Sequence, residues 1–263
     1  MDDDDNMDKD DIPTRKLISA SICVLPFDQQ INLIINWAKD YQSKMVCVSN
    51  VHMLIEAWRD SCFASVLKNA DLLTPDGMPL VWMLKQLGSK ESQRVAGMDI
   101  FRAACEQAAK AQVSIFLLGA KPDVLDKICR RLKKEFPTLK VAGVESPPFR
   151  PLDSTADMNT VRKINASGAG IVFVALGCPK QELWMSQHQH KIQAVMIGVG
   201  AVFPIYAGVL RQAPKFMQSY GLEWLFRLVQ EPRRLWKRYF TTIPVFMWLA
   251  LHQIYYKEIP MKK

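Results

Sequence analysis

The sequence predicts an α/β fold: a Rossmann-like, doubly wound domain with a mostly parallel sheet, followed by a helical appendage at the C-terminus. Short, continuously apolar runs recur between residues 17 and 199, as is typical of strands buried on both faces. Segments with apolar residues at helical spacing separate these runs, which favours parallel strands joined by crossover helices. Beyond Ala207 the apolar runs stop, and a helical pattern rich in aromatic residues and arginine begins.

The first part of the chain contains two predicted strands and three predicted helices. Leu17–Leu25 is predicted as a strand and Gln29–Tyr41 as an amphipathic helix. The short run Met45–Ser49 carries two β-branched valines, which favours a buried strand. Val51–Asn69 and Gly97–Gln112 have the apolar spacing of helices.

The same alternation continues to residue 199, so we expect a sheet covered by helices on both faces. The further predicted strands are Val113–Leu118, Leu139–Val144, Ile171–Leu176 and Ala194–Val199. The helices between them are predicted over Lys121–Phe136, Ser154–Ser167 and Gln181–His190. Pro122 suits the first turn of its helix, because the N–H that proline lacks would have no helical partner there.

Both ends of the chain differ in charge from the middle. Residues 1–11 hold seven Asp and one Lys, and we predict a disordered acidic tail over 1–13. The α/β domain is predicted over 14–207, and a basic, aromatic, helical appendage over 208–263. Residues 209–263 hold ten Lys or Arg against three Glu, within a chain of formal net charge +8. This excess predicts an anionic partner, either nucleic acid or an anionic membrane.

Cysteine spacing and the N-terminus both favour an intracellular protein. The six cysteines are scattered singly with no CxxC pair, which fits neither a zinc site nor a disulfide framework. The N-terminal Met-Asp-Asp-Asp-Asp lacks the basic and apolar regions of a secretory signal. We therefore expect reduced thiols and a cytoplasmic location.

Several candidate ligand-binding residues follow predicted strands, where parallel α/β sheets bind their ligands. Asn50 follows the strand Met45–Ser49, and Asp76 lies in Thr74-Pro-Asp-Gly77 after the apolar Leu72-Leu73. Pro-Asp-Gly is also an ordinary turn sequence. The functional interpretation makes Asp76 a general base, with its pKa raised toward neutrality by burial.

Two glycine-containing loops are candidates for phosphate binding. Gly119 and Gly177 each come between a strand and a helix, where backbone N–H groups can approach a phosphate. Neither loop is a GxGxxG or a Walker sequence, so a plain connecting turn is the alternative for each. In Gly177-Cys-Pro-Lys-Gln-Glu182, Gln181 and Glu182 either favour a helix start or belong to a substrate-binding site, because Lys180 and Gln181 offer donors suited to a diphosphate or a sugar hydroxyl. Arg94 is either a phosphate-binding arginine or a solvated surface residue.

The histidines and serines do not form a metal site or a hydrolytic triad. His188 and His190 are two residues apart on a predicted helix and do not share a face. There is no Gly-x-Ser-x-Gly sequence.

The C-terminal segment mixes basic and aromatic residues. Its basic members are Arg227, Arg233, Arg234, Lys237 and Arg238. The apolar stretch Ile243–Tyr256 is shorter than the ~20 residues that a transmembrane helix needs. We interpret it as an interfacial helix with arginines on anionic lipid. A core helix hairpin that closes the domain and single-strand nucleic-acid binding are the alternatives.

The order of these motifs resembles the WecG/TagA/CpsF glycosyltransferase family of bacterial surface-polysaccharide synthesis. The resemblance covers about residues 17–240. It rests on Asn50, Ala70-Asp-Leu-Leu-Thr-Pro-Asp-Gly77, Arg94-Val-Ala-Gly-Met-Asp99, Phe116-Leu-Leu-Gly-Ala120, Gly177-Cys-Pro-Lys-Gln-Glu182, Gly198-Val-Gly-Ala-Val-Phe203, Gly208, Arg211-Gln-Ala-Pro214 and Gly221-Leu-Glu-Trp-Leu-Phe-Arg-Leu-Val-Gln-Glu-Pro-Arg-Arg234.

The resemblance implies an inverting transfer from a UDP-sugar to a polyprenyl-diphosphate-linked sugar, with no metal or other cofactor. It implies that Asp76 is the base and that Asn50, Arg94 and Gln181 line the pocket. Val48 stands where the family often has threonine, which puts a hydroxyl contact there in doubt. A lipid-linked acceptor favours a protein bound peripherally to the inner face of the cell membrane, with no nucleic-acid partner. A homo-oligomer is left open, as is the sugar, which is N-acetylmannosamine, its uronic acid or glucose in similar proteins.

Two other function classes are the alternatives. A Rossmann-type nicotinamide-dependent oxidoreductase needs a glycine fingerprint after the first strand, where this chain has Pro26-Phe-Asp-Gln. A non-catalytic membrane adaptor has no need of Asp76, Arg94 and Gln181 together.

Overall fold

Six parallel strands form the central sheet of the computed structural model, which describes residues 9–147, 154–257 and 259. The strands of the described residues are β1 Thr14–Leu17, β2 Ala20–Cys23, β3 Lys44–Ser49, β4 Leu72–Pro75, β5 Ile115–Gly119, β6 Val141–Glu145, β7 Ile171–Ala175 and β8 Val195–Gly198. The sheet has the order β4-β3-β8-β7-β5-β6, and each neighbouring pair is parallel. The predicted α/β fold with a mostly parallel sheet is confirmed.

Helices join these strands. They are α1 Phe27–Lys39, α2 Val51–Arg59, α3 Ser61–Asn69, α4 Met78–Gln86, α5 Gly97–Lys110, α6 Pro122–Glu135, α7 Ser154–Ser167, α8 Lys180–His188, α9 Val202–Tyr206, α10 Lys215–Ser219, α11 Glu223–Gln230 and α12 Pro232–Tyr256. The predicted helix Val51–Asn69 is two helices, because Asp60 has extended backbone angles. Its carboxylate accepts a hydrogen bond from the Cys62 N–H at 2.8 Å and so caps α3.

Side chains of successive residues in each strand enter two separate apolar cores. Val46 and Val48 of β3 pack in the core covered by α1, α5, α6 and α9. Met45 and Cys47 pack in the core covered by α2, α3, α4, α8 and α12. Because strand side chains alternate between faces, these two cores lie on opposite sides of the sheet. The helices therefore cover both faces, as predicted.

The prediction of a single strand over Leu17–Leu25 is wrong. Its residues belong to a hairpin in which β1 pairs antiparallel with β2, outside the parallel sheet. Ile18 and Ser19 form the turn. The Gln253 side chain accepts a hydrogen bond from the Ile18 N–H at 2.9 Å and donates one to the Lys16 carbonyl at 3.0 Å. A contact with a helix 235 positions away holds this turn, so local sequence did not indicate it.

Residues 1–8 of the predicted acidic tail lie outside the described residues. The remainder of that tail is not disordered in the structure, contrary to the prediction for 1–13. Lys9–Asp11 form a turn of 3-10 helix, and Ile12 is buried in the core that contains α1. The apolar Ile12 is the signal that the tail prediction overlooked.

The C-terminal segment packs on the α/β domain through one face of α12. Phe246, Leu249 and Ala250 are buried in the core that contains α2 and α4. This face corresponds to the alternative of a core helix closing the domain, while other faces of α12 remain exposed. In the described part of the chain, no helix combines the length and apolar content that crossing a membrane requires.

Candidate functional site

A cleft of about 560 Å³ opens at the carboxyl ends of β3 and β4. Asn50 and Asp76, the residues that directly follow these two strands, both line it. Helix α4 contributes one wall, and α11 and α12 contribute the other. The cleft lies where parallel α/β sheets bind ligands, because the open ends of adjacent strands meet there.

Asp76 combines burial with an acidic neighbour. Its N–H donates to the Ser49 carbonyl at 2.7 Å, which ties the end of β4 to the end of β3. Its side chain keeps 29% of its surface exposed. Burial, together with repulsion from Glu223, raises the pKa of Asp76 to about 7, although Arg94 and Arg227 act in the opposite direction. A carboxylate with this pKa is suited to accept a proton near neutral pH.

Pro-Asp-Gly connects β4 to α4, because Pro75 ends the strand and Gly77 is the N-cap of the helix. Gly77 has a φ of 99°, a conformation that other residues adopt only with strain. This short connection places Asp76 in the cleft.

Arg94 links the strand edge to the C-terminal segment. Its Nε lies 4.0 Å from Asp76 Oδ1. Its two terminal nitrogens donate to Gln218 at 3.1 Å and to Glu223 at 2.8 Å. Only 16% of the side chain is exposed, so the alternative of a solvated surface arginine is wrong. The Nε atom is buried without a hydrogen-bond partner, which leaves one donor of Arg94 unused.

Asn50 has a structural task in addition to its place in the cleft. Its side-chain oxygen accepts a hydrogen bond from the Met53 N–H at 3.2 Å and caps α2. The cap fixes the side chain at the floor of the cleft.

Gly119 is the last residue of β5, and Gly177 follows the end of the neighbouring strand β7 by two residues. Both have positive φ, 112° and 81°. A Cβ on Gly119 would lie only 2.6 Å from the Ala175 carbonyl oxygen, so this site requires glycine for space as well as conformation. The cleft lined by Asp76 does not include either glycine.

Gln181 and Glu182 form a buried polar pair behind the Gly177 loop. Gln181 accepts a hydrogen bond from the Gly177 N–H at 3.2 Å and donates one to Glu182 at 2.6 Å. Glu182 is fully buried, and its second oxygen has no hydrogen-bond partner. Burial raises the pKa of Glu182 to about 7, against the hydrogen bond from Gln181. Neither residue lines the cleft, and in this structure the pair holds the loop in place.

The five basic residues of the C-terminal segment separate into two groups. Arg227 and Arg238 line the cleft. Arg233, Arg234 and Lys237 are exposed. Burial lowers the pKa of Arg238, and its Nε atom has no hydrogen-bond partner. Because an arginine stays protonated in proteins, the cleft contains partly buried positive charge that is suited to an anionic ligand.

Residues 15–259 match the model of the glycosyl transferase WecG/TagA/CpsF family. The chain belongs to this family. Relatives include the N-acetylglucosaminyldiphosphoundecaprenol N-acetyl-beta-D-mannosaminyltransferase of Bacillus spizizenii, 32% identical over 207 residues, which are 78% of each chain. The protein of the same name from Bacillus subtilis is 32% identical over 195 residues, 74% of each chain. The predicted family is confirmed.

As a member of the WecG/TagA/CpsF family the protein is a glycosyltransferase. This assignment argues against the nicotinamide-dependent oxidoreductase and the non-catalytic adaptor. Among the residues that the structure describes, no group of three or more His, Cys, Asp or Glu side chains could hold a metal ion. Metal independence stays a prediction.

The structure also places in the cleft of this glycosyltransferase residues that the sequence analysis did not assign. Glu223 and Gln218 bind Arg94, and Glu223 lies in the Gly-Leu-Glu-Trp motif that carried part of the resemblance. His52 lines the cleft two positions after Asn50. Burial and the nearby Arg238 and Arg59 lower the pKa of His52 to about 3, so its imidazole is neutral. The feature of the sequence that could have indicated His52 is its position two residues after Asn50, at the start of the predicted helix Val51–Asn69.

Proposed function

We propose that the protein transfers a sugar with inversion from a UDP-sugar to a sugar carried on a polyprenyl diphosphate. The observation that carries this proposal is the Asp76 carboxylate, which faces the cleft at the sheet edge with its pKa raised to about 7. The names of the two Bacillus relatives describe a diphosphoundecaprenol acceptor and an N-acetylmannosaminyl group. N-acetylmannosamine is therefore the first donor sugar to test.

The reaction is a single displacement. The acceptor hydroxyl oxygen forms a bond to the anomeric carbon of the donor as the bond from that carbon to the UDP oxygen breaks. Asp76 takes the hydroxyl proton, and UDP leaves with the bonding electron pair. Attack from the face opposite UDP inverts the anomeric configuration. Positive charge near the leaving diphosphate stabilises the transition state. We assign this role to Arg94, whose Nε atom lies 4.0 Å from Oδ1 of the base Asp76.

We place the donor diphosphate toward the loops that contain Gly119 and Gly177. At Gly177 the φ is positive and a Cβ would meet no atom within 4 Å, so a phosphate has room to approach the backbone of that loop. At Gly119 the same space is occupied by the Ala175 carbonyl oxygen. The acceptor diphosphate is assigned to Arg227 and Arg238, which line the cleft on the C-terminal segment. The unused Nε donor of Arg238 supports an anionic ligand at that position.

Replacing Gln181 with Ala should raise the KM for the UDP-sugar by about tenfold, the effect of losing one or two hydrogen bonds. The reason is indirect: Gln181 accepts the Gly177 N–H and so fixes the loop that we assign to the diphosphate. UDP binding by calorimetry and steady-state kinetics measure the effect. Gln193→Ala, at an exposed position, is the control. An unchanged donor KM with a raised acceptor KM would contradict the assignment of this loop.

An exposed apolar surface on α12 supports attachment to a membrane. This surface, the α12 stripe, consists of Trp236, Phe240, Met247, Trp248, Leu251 and Tyr255. Each of the six side chains has at least half of its surface exposed. Their spacing puts them on one side of the helix, away from the buried Leu249. Arg233, Arg234 and Lys237 are exposed at its N-terminal end. We assign the stripe and these cations to the anionic inner face of the cell membrane, with the protein in the cytoplasm.

Replacing Arg233, Arg234 and Lys237 together with Gln should weaken binding to anionic vesicles roughly 100-fold. Each basic residue near an anionic surface contributes about 1 kcal/mol. Sedimentation with anionic and neutral vesicles at low and high salt measures the change, and salt should weaken attachment of the unaltered protein. The matched control replaces Arg130, Lys133 and Lys134, which are exposed on α6. Equal binding of the unaltered protein to neutral and anionic vesicles would show that these three basic residues do not contribute to membrane attachment.

A further inference from the structure

The cleft continues beyond Asp76 as a groove between α4 and α12. Met78, Trp82 and Gln86 line it from α4, at the i, i+4 and i+8 positions of one helix face. From α12, the lining extends from Arg238 to Ile254, a distance of about 24 Å at 1.5 Å per residue. The groove is therefore much longer than the part that holds the base.

The two ends of this groove differ chemically. At the beginning of α4 it contains Asp76, Arg94, Arg227 and Arg238. Farther along, the lining is mostly apolar, and it consists of Pro79, Trp82, Met83, Ile243, Phe246, Met247 and Ile254 with the polar Thr242 and Gln86. One continuous cleft thus presents cations at one end and hydrocarbon at the other.

The apolar part is open to solvent. Trp82 keeps 47% of its surface exposed and Met247 keeps 57%. Large apolar side chains gathered at an open groove mark a binding site for an apolar group, because burying them releases surface from water.

We propose that the groove between α4 and α12 binds the isoprenoid segment nearest the diphosphate of the acceptor. This inference rests on the proposed function, which supplies an acceptor that is anionic at one point and hydrocarbon beside it. The charges match this order, since Arg227 and Arg238 precede the apolar lining. Met247 belongs both to the groove and to the α12 stripe, so a chain leaving the groove passes directly onto the surface assigned to the membrane.

The enzyme therefore selects its acceptor by the first isoprene units as well as by the sugar diphosphate. Trp82 and Met247 are specificity-determining residues for the lipid, and they act without the bilayer. Trp82 lies on α4, outside the α12 stripe, so its substitution removes lipid recognition without removing membrane attachment, whereas Met247 contributes to both.

Kinetics with two soluble acceptors, in the absence of vesicles, test this assignment. Both acceptors carry N-acetylglucosamine on a diphosphate, one with a short isoprenoid chain and one with a methyl group. Trp82→Ala and Met247→Ala should each raise the KM for the isoprenoid acceptor about tenfold, the effect of losing an apolar contact of roughly 1.4 kcal/mol. The KM for the methyl acceptor and for the donor should stay within about twofold. Tyr41→Ala and Met158→Ala, exposed apolar positions outside the cleft, should change neither KM.

An equal rise in the KM for both acceptors would overturn the proposal. An unchanged KM for the isoprenoid acceptor in both Trp82→Ala and Met247→Ala would overturn it as well. Calorimetric binding of an isoprenyl diphosphate without a sugar separates this inference from the proposed function. Binding that Trp82→Ala and Met247→Ala both weaken about tenfold supports the groove even if no donor sugar is transferred. Binding that neither substitution affects overturns it. Melting temperatures show whether either variant is unfolded, and having two variants on different helices keeps the test decisive.

Discussion

Asp76→Asn is expected to lower kcat about 100-fold or more, the usual contribution of a positioned general base. The amide has nearly the same shape but cannot take the acceptor's proton. Donor affinity should change little, because the carboxylate acts mainly in the transition state. Single-turnover transfer and calorimetric UDP-sugar binding measure the two quantities separately.

The control for this prediction is Asp126→Asn, which removes one carboxylate from an exposed position on α6. It should leave kcat within about twofold. Near-normal turnover of Asp76→Asn on the physiological substrates would eliminate the role of Asp76 as base. The pH profile of the unaltered enzyme gives an independent test. Since only the ionised carboxylate accepts a proton, and its pKa is about 7, activity should fall as the pH drops below about 7.

Arg94→Ala is expected to lower activity at pH 7 by roughly 10- to 100-fold, the cost of one charge-assisted contact in an active site. The substitution removes the cation nearest Asp76 and leaves Glu223 and Gln218 without their partner. Arg94 lowers the pKa of Asp76, whereas Glu223 raises it. Without Arg94 the pKa of Asp76 should increase, so the acid limb of the pH profile should move to higher pH.

A rate-pH profile therefore distinguishes this electrostatic role from a structural one. Arg102→Ala removes an exposed arginine that pairs with Glu135, and it should change neither the rate nor the profile. A lower rate for Arg94→Ala with an unmoved acid limb would show that Arg94 does not act on Asp76. A melting temperature close to that of the unaltered protein shows that the variant is folded.

Local pattern was sufficient for most of the parallel sheet and insufficient for β4 and for the hairpin β1–β2. The run Met45–Ser49 is apolar throughout, and β3 occupies nearly the same residues. Strand β4 has only four residues and ends in Pro75. Proline in a strand indicates an edge or a turn, so pattern alone did not predict β4. The hairpin β1–β2 depends on Gln253, a contact that no local window contains.

The candidate site divides in the same way. The rule that ligands meet the carboxyl ends of parallel strands placed Asn50 and Asp76 together, and the structure agrees. The same rule does not predict which polar side chains form hydrogen bonds with one another and do not line the cleft, as is the case for Gln181 and Glu182. The basic residues of the C-terminal segment formed a single group in the sequence. Their separation into cleft and surface depends on how α12 packs against α2 and α4, which is a tertiary property.

The bridge from Gln253 to the hairpin has a consequence for the order in which the molecule is built. During synthesis the emerging chain contains every strand of the parallel sheet once residue 198 has been added. The outer wall of the cleft, with Arg238 and Met247, follows only with α12. Domains begin to fold from the N-terminus as they emerge, and contacts distant in sequence form late. We therefore expect the nascent protein to form its sheet before the cleft is complete. The packing of α12 then completes the wall of the cleft and, through Gln253, joins α12 to the hairpin β1–β2.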